Sequence, residues 1–292
     1  MRTVAYADIF EYPLTLPEIH RYLIGLAVSR ETVGAAIANV LLPSGRLVER
    51  DGYYALPGRE AIVATRQERQ ERAAAVWPRA LRYGRLIASL PFVRLVAITG
   101  ELAMDNVRPE SDIDFFVVTE HRRLWLCRAL ILAIVHAAGR LGDTICPNYL
   151  ISERALALDD GDLYSAHEIA QMIPLAGLET YARFRQLNPW VYDFLPNAAA
   201  VPRDLRARPA ARPARALAES ALRSPAGAAL ERWESGRKLR RFRAEARGHA
   251  EASFTLDWCK GHLHDHGQLI LEAFAKRAPA LAGDDGEGWG ES

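Results

Sequence analysis

An excess of charge of either sign is missing from this chain: its 292 residues carry 37 Lys and Arg against 36 Asp and Glu, a formal net charge of +1. That balance excludes a protein that coats nucleic acid over its whole surface. Cysteine is scarce too. The three present, Cys127, Cys146 and Cys259, are odd in number and widely spaced, so they form no disulfide framework. No long apolar run occurs. The most apolar stretch, 124–138, is short for a membrane span and contains Arg128 and His136, which suits a buried helix. Acids come early in the chain and no signal-type apolar segment precedes them, so the expected location is the cytoplasm, with no membrane partner. Composition is that of a globular protein, 50% hydrophobic and 25% charged, and the length allows two modest cores.

What is present is concentrated between residues 94 and 120, RLVAITGELAMDNVRPESDIDFFVVTE. Asp112 and Asp114 lie one residue apart inside an apolar run. Side chains alternate faces along a strand, so both carboxylates aim the same way while Ile113 and Phe115 turn into the core. Two like charges held close are costly unless a cation lies between them, which makes the pair a candidate divalent-metal site. Upstream, the apolar run 95–98 ends at Thr99-Gly100, where the backbone can turn sharply into a short helix.

Apolar strand, glycine turn and Asp-x-Asp strand together resemble the core motif of the DNA-polymerase-β-like nucleotidyltransferase superfamily, as in bacterial nucleotidyltransferase-domain proteins. In that family the turn is Gly-Ser, and the two acids bind Mg²⁺ (or Mn²⁺) and the phosphates of a nucleoside triphosphate. The resemblance implies that Asp112 and Asp114 are catalytic metal ligands and that Gly100, Glu101 and Ser111 line the nucleotide. Glu101 stands where the family has its phosphate-holding serine. A third catalytic acid is implied on the neighbouring strand, yet the next strand-like run, 144–152 (TICPNYLIS), contains none. Asp143, just before it, is the choice for that role, with Asn148 as a neutral substitute.

Residues 1–58 look like a separate winged-helix-like module. Thr15 and Glu18 form a capping box for a helix over 16–25, and Ser29 caps another running to about 42. Segments 47–50 and 53–56 flank Asp51-Gly52, a favoured two-residue hairpin turn. The candidate reading helix carries Arg30 and Asn39 near its ends with mostly small residues between, so a structural or partner-binding role is favoured over DNA binding. A connecting helix is expected over 59–91, with a break at Trp77-Pro78. Its Arg82 and Arg85, with Arg94, approach the motif in sequence and are candidates to help hold a polyphosphate.

The nucleotidyltransferase core is expected over 92–155: strand, short helix, Asp strand, a helix over 122–139, and the strand at 144. Residues 156–282 are expected to be helical and 283–292 a flexible tail. The fold class is thus α/β (α+β), a nucleotidyltransferase-type mixed sheet with a winged-helix-like module before it and a helical region after it. The aromatic stretch from Tyr181 to Phe194 suits a core, and a Pro/Ala/Arg-rich linker spans 202–213. His167-Glu168 has the start of a metalloprotease helix but lacks its second histidine, so that reading is rejected. Cys259, His262, His264 and His266 are not read as a zinc set, and the histidines are taken as surface residues.

The implied function is Mg²⁺-dependent transfer of a nucleoside monophosphate from an NTP such as ATP to an acceptor hydroxyl, with release of pyrophosphate. The alternative is a catalytically altered nucleotide-binding or regulatory protein of the same fold, meeting nucleic acid or a partner through the winged helix. The acceptor stands open among small molecule, protein side chain and RNA end.

Overall fold

The computed structural model describes residues 1–158, 161–203, 212–245, 253–260 and 266–282. Most of the 202–213 linker, His262, His264 and the 283–292 tail lie outside the described residues. The fold is mixed α/β around a six-stranded mixed sheet.

Three helices come first: α1 (Arg2–Asp8), α2 (Leu16–Arg21) and α3 (Arg30–Ala36), the last continuing through a π-helical turn, Ile37–Leu41. The hairpin β1 (Val48–Arg50) and β2 (Tyr53–Ala55) turns at Asp51 and Gly52, with φ of 53° and 79°. Two successive left-handed residues are what a tight hairpin turn requires, and Asp-Gly tolerates both. The capping box forms as expected: Glu18 Oε2 accepts hydrogen bonds from the Thr15 amide at 2.8 Å and hydroxyl at 2.7 Å. Ser29 accepts from the Thr32 amide at 3.2 Å.

The long helix α4 (Ile62–Ala88) runs unbroken through Pro78, against the expected break. Pro78 and Ala74, whose carbonyl loses its donor, are both exposed, so water can satisfy the lost bond. Two arginines tie α4 to the first module. Arg66 donates to Glu18 Oε1 at 2.7 Å and to the Pro13 carbonyl at 2.6 Å, with its guanidinium 3.7 Å from the Tyr12 ring centroid. Arg69 donates to Glu11 at 2.6 Å and to the Phe10 carbonyl at 3.1 Å.

The sheet is built by β3 (Val93–Ile98), β4 (Ile113–Thr119), β5 (Ile145–Ser152), β6 (Ile173–Ala176), β7 (Ser253–Phe254) and β8 (Trp258–Lys260). Their order in the sheet is β6-β3-β4-β5-β8-β7, in which β4 and β5, joined by helix α6 (Leu124–Arg140), pair in parallel and the other described neighbours are antiparallel. Strand alternation sorts the core into two layers. Ile98, Ile113, Phe115, Val117 and Leu150 face α4 and α6. Leu95, Ala97, Phe116, Val118 and Ile151 face α7 (Leu163–Gln171), α8 (Leu178–Leu187) and α12 (His266–Ala282). A short α5 (Gly100–Ala103) links β3 to the loop before β4.

The expectation of an all-helical 156–282 is corrected here: it supplies β6, β7 and β8, so the sheet is not confined to 92–155. These strands are two to four residues long, too short to show alternation in sequence. The same region contributes α9 (Val191–Phe194), α10 (Arg212–Leu222) and α11 (Pro225–Glu245). Glu231 of α11 accepts from the first free amides of α6, Leu126 at 2.7 Å and Trp125 at 3.2 Å, anchoring one helix on the other's positive end. Tyr181 and Phe184 are buried in the α7-side core, as expected of the aromatic stretch.

Glu18 is the hub of the first module. Burial opposes its charge, but the Arg66 guanidinium and the hydrogen bonds from Arg66 and Thr15 hold its pKa below the usual carboxylate value. The folded-state pKa lies below the unfolded one, so this stability is present at neutral pH and lost as pH falls through the acid range. Glu18→Gln, leaving Arg66 buried without its counter-charge, is expected to cost about 2–3 kcal/mol at pH 7 in urea denaturation. The deficit relative to wild type should shrink as pH falls through the acid range and Glu18 is protonated.

Candidate metal centre

Strand β4 begins at Ile113, with Asp112 just before it and Asp114 one residue in. Since Ile113 and Phe115 fill the α4-side core, the intervening Asp114 projects to the α7 side. Carboxylate oxygens of Asp112 and Asp114 and the thiol of Cys146 all lie within 4.8 Å of one another, and all three residues are half-buried. Cys146 comes from β5, where the parallel register sets it beside Asp114. Just beyond, the register slips so that Phe116 meets Tyr149, the ladder accommodating one extra residue at Pro147-Asn148.

Gly100 makes room for Asp114. Its φ is +63°, and a Cβ there would stand 2.5 Å from Asp114 Oδ2. No other residue type fits without moving the carboxylate. The preceding Thr99 donates its amide to the Asp114 carbonyl at 3.1 Å, continuing the β3–β4 ladder. That register puts the Thr99 side chain on the same face as Asp114. Thr99 is 5% exposed and its hydroxyl has no hydrogen-bond partner.

Charge at the site is held at a cost. Burial, then the neighbouring Asp112 and Glu168, push the Asp114 pKa up to about 8. Burial raises the Cys146 thiol as well, so it stands as a neutral donor toward the acids. Glu168 of α7, near enough for its charge to act on Asp114, is pushed by burial to about 7, with Lys260 opposing the rise. Lys260 pairs in register with Tyr149 and places its ammonium 5.8 Å from that ring's centroid.

The other residues chosen from sequence divide. Glu101 and Ser111 come together: the Ser111 hydroxyl donates to Glu101 Oε2, and the Arg108 guanidinium pairs with Oε1. The Arg108 amide donates to Glu101 at 3.2 Å and to the Ser111 hydroxyl at 2.9 Å. The Glu101 charge is thus neutralised within the loop that precedes Asp112. Asp143 is not at the site, which corrects its choice as the third acid. It faces α4, where it accepts from Arg79 at 2.6 Å and Tyr83 at 2.5 Å, and pairs with Arg82 at 3.4 Å. Although burial opposes it, these donors keep Asp143 ionised and lower its pKa. Arg82 is thereby engaged on the α4 face. Arg94 pairs with Glu120 and Glu219, about 14 Å along the sheet from Asp114. Neither reaches the acid pair.

Sequence reasoning missed Cys146, Glu168, Lys260 and Thr99. For Cys146 the signal was present, since a parallel neighbour of the Asp strand must set some side chain beside Asp114. Glu168 and Lys260 come from helix and strand segments distant in sequence. The neighbouring His167 is a core residue, its ring stacked on Tyr6 at 4.0 Å and its pKa lowered by burial to about 4. Compared with protein-family models, with curated proteins and with solved structures, the chain finds no match in any of the three.

Two tests follow from this geometry. Asp114 has its folded-state pKa above the unfolded value, so its contribution is fully present at low pH and is lost as pH rises from about 4 to about 8. In metal-free protein, Asp114→Asn should therefore match wild type near pH 4 and exceed it in stability near pH 8, by about 1–2 kcal/mol after allowing for solvent access. Gly100→Ala should push Asp114 off its position and weaken Mn²⁺ binding by about tenfold or more in a direct titration.

Proposed function

We propose that this protein is a nucleotidyltransferase of the DNA-polymerase-β-like type, moving a nucleoside monophosphate from an NTP to an acceptor hydroxyl. One observation carries the reading: two carboxylates converge from the start of a strand to within reach of one ion, and the glycine of the preceding turn is the residue that admits the second of them. The donor set fits Mg²⁺ or Mn²⁺, which take one or two protein carboxylates and complete their shell with water and substrate phosphates. When bound, the cation would neutralise charge developing on the α-phosphate and align the acceptor oxygen.

The chain's own residues divide the remaining work. Asp112 and Asp114 would hold the cation. Asp114, which favours its protonated form, would release that proton as the cation binds. Glu168, near enough for its charge to act on Asp114 and with a pKa near neutrality, is the group suited to take the proton of the acceptor hydroxyl. Arg108, with 65% of its side chain exposed and tied to Glu101, stands at the rim where a polyphosphate would enter.

The three helices and hairpin before α4 fit a winged-helix-like module. On α3 and its π-helical continuation the exposed positions include Ala35, Ala36, Ala38 and Val40, a surface that suits a protein partner more than base edges. A second reading, a nucleotide-binding regulator without turnover, draws on the Glu101–Ser111–Arg108 cluster, which places a carboxylate where phosphate would lie.

Thermal shift with each of the four NTPs, with and without Mg²⁺, tests the proposal. A Mg²⁺-dependent rise of a few degrees is expected for at least one NTP, as tight binding adds about 2–3 kcal/mol to stability. The ligand-dependent increment should vanish in Asp112→Ala/Asp114→Ala, whatever that variant's own melting temperature. An undiminished increment would contradict the reading. Turnover separates the two readings: pyrophosphate release abolished by Glu168→Gln, with Mg²⁺–NTP binding kept, supports the transferase.

A further inference from the structure

The third ligand beside the acid pair is sulfur, and Mg²⁺ does not take sulfur. Asp112, Asp114 and Cys146 nonetheless present one atom each within 4.8 Å of one another. Ligands bound to a single Zn²⁺ at about 2.0–2.3 Å stand up to about 4 Å apart, so side-chain shifts of up to about 1 Å close the set. Cys146 is the one cysteine of the three that is not buried, so an ion can reach it from solvent.

A second observation points into the same place. The Thr99 hydroxyl is buried, lacks any partner and projects beside Asp114 from the neighbouring strand. A buried hydroxyl without a partner costs about 1–3 kcal/mol, so such groups are retained where something else satisfies them. A water completing the shell of an ion seated on the three ligands meets that need.

We propose that Asp112, Asp114 and Cys146 form an O,O,S site for a thiophilic divalent cation of the Zn²⁺ or Co²⁺ class, with Thr99 holding a water of that ion. Binding exchanges two protons for the metal: the Cys146 S–H bond and the Asp114 carboxyl O–H bond break, metal–thiolate and metal–carboxylate bonds form, and both protons leave to solvent. No redox change is involved. The site shares its acids with the proposed transferase centre but needs no nucleotide. The same pocket therefore takes a hard ion through its two carboxylates or a softer one through all three ligands.

Co²⁺ added to the full-length, metal-free protein is the probe. The expected result is a thiolate-to-Co²⁺ charge-transfer band in the near ultraviolet, saturating at one ion per chain and removed by stoichiometric Zn²⁺. The band should vanish in Cys146→Ser and form with at least tenfold weaker affinity in Asp112→Asn, which keeps the thiol. Circular dichroism checks that both variants fold; Cys146→Ser is close to isosteric, and Cys127 and Cys259 remain as internal controls. No band in wild type, a band surviving in Cys146→Ser, or unchanged affinity in Asp112→Asn each overturns the proposal. The Mg²⁺–NTP thermal shift of Cys146→Ser reads the transferase centre separately, so loss of one property is distinguishable from loss of the other.

Discussion

The contact between Gly100 and Asp114 is the constraint on which the rest of the centre depends. The carboxylate oxygen occupies the space where any other residue would carry its first side-chain atom. The turn thus fixes the second acid, the second acid fixes the spacing to Asp112, and the sheet register brings Cys146 alongside. Each step is a backbone property rather than a side-chain choice. This is why a centre with several unfavourable features, crowded acids and an orphaned hydroxyl among them, still has one defined geometry. Stability held elsewhere offsets that local strain, in two apolar layers sorted by strand alternation.

Those layers also explain which charges can take part in chemistry. On the α4 side, Asp143 is met by two arginines and a tyrosine and is held in its charged form. Towards α7, burial and acidic neighbours push Asp114 towards its neutral form, and burial does the same to Glu168 against the opposing charge of Lys260. One face of the sheet is electrostatically settled and the other is not. A cation arriving from solvent has a reason to bind only on the second.

Much of this was legible in the chain. The hairpin at Asp51-Gly52, the capping box of Thr15 and Glu18, and the shared direction of Asp112 and Asp114 follow from local rules that tertiary context did not override. Three features were not legible. Asp143 lies in the expected place along the chain, but which side of the sheet a turn residue faces depends on helix packing, and α4 claims it. Pro78 marks a break in sequence only if its lost hydrogen bond is buried, and here it faces water. The strands β6 and β8 are too short to carry a period, so the region after residue 155 reads as helix and its contribution to the α7-side face is invisible. Glu18 shows the same limit within a correct reading: it is a cap, as expected, and also the buried partner of Arg66, which no local pattern announces.

The first module is bound to the loop that leads into the acid strand. Tyr12 donates to the Met104 carbonyl at 2.8 Å, and Asn106 accepts from Arg69 at 3.3 Å and donates to the Phe10 carbonyl at 3.3 Å. From the long helix, Trp77 donates to Asp105 at 2.7 Å. Composition draws a boundary near residue 58, but mechanically there is none. A load applied to the first fifty residues is transmitted through two tyrosine- and asparagine-sized struts to the segment just ahead of Asp112, making the amino-terminal end a handle on the centre rather than an appendage to it.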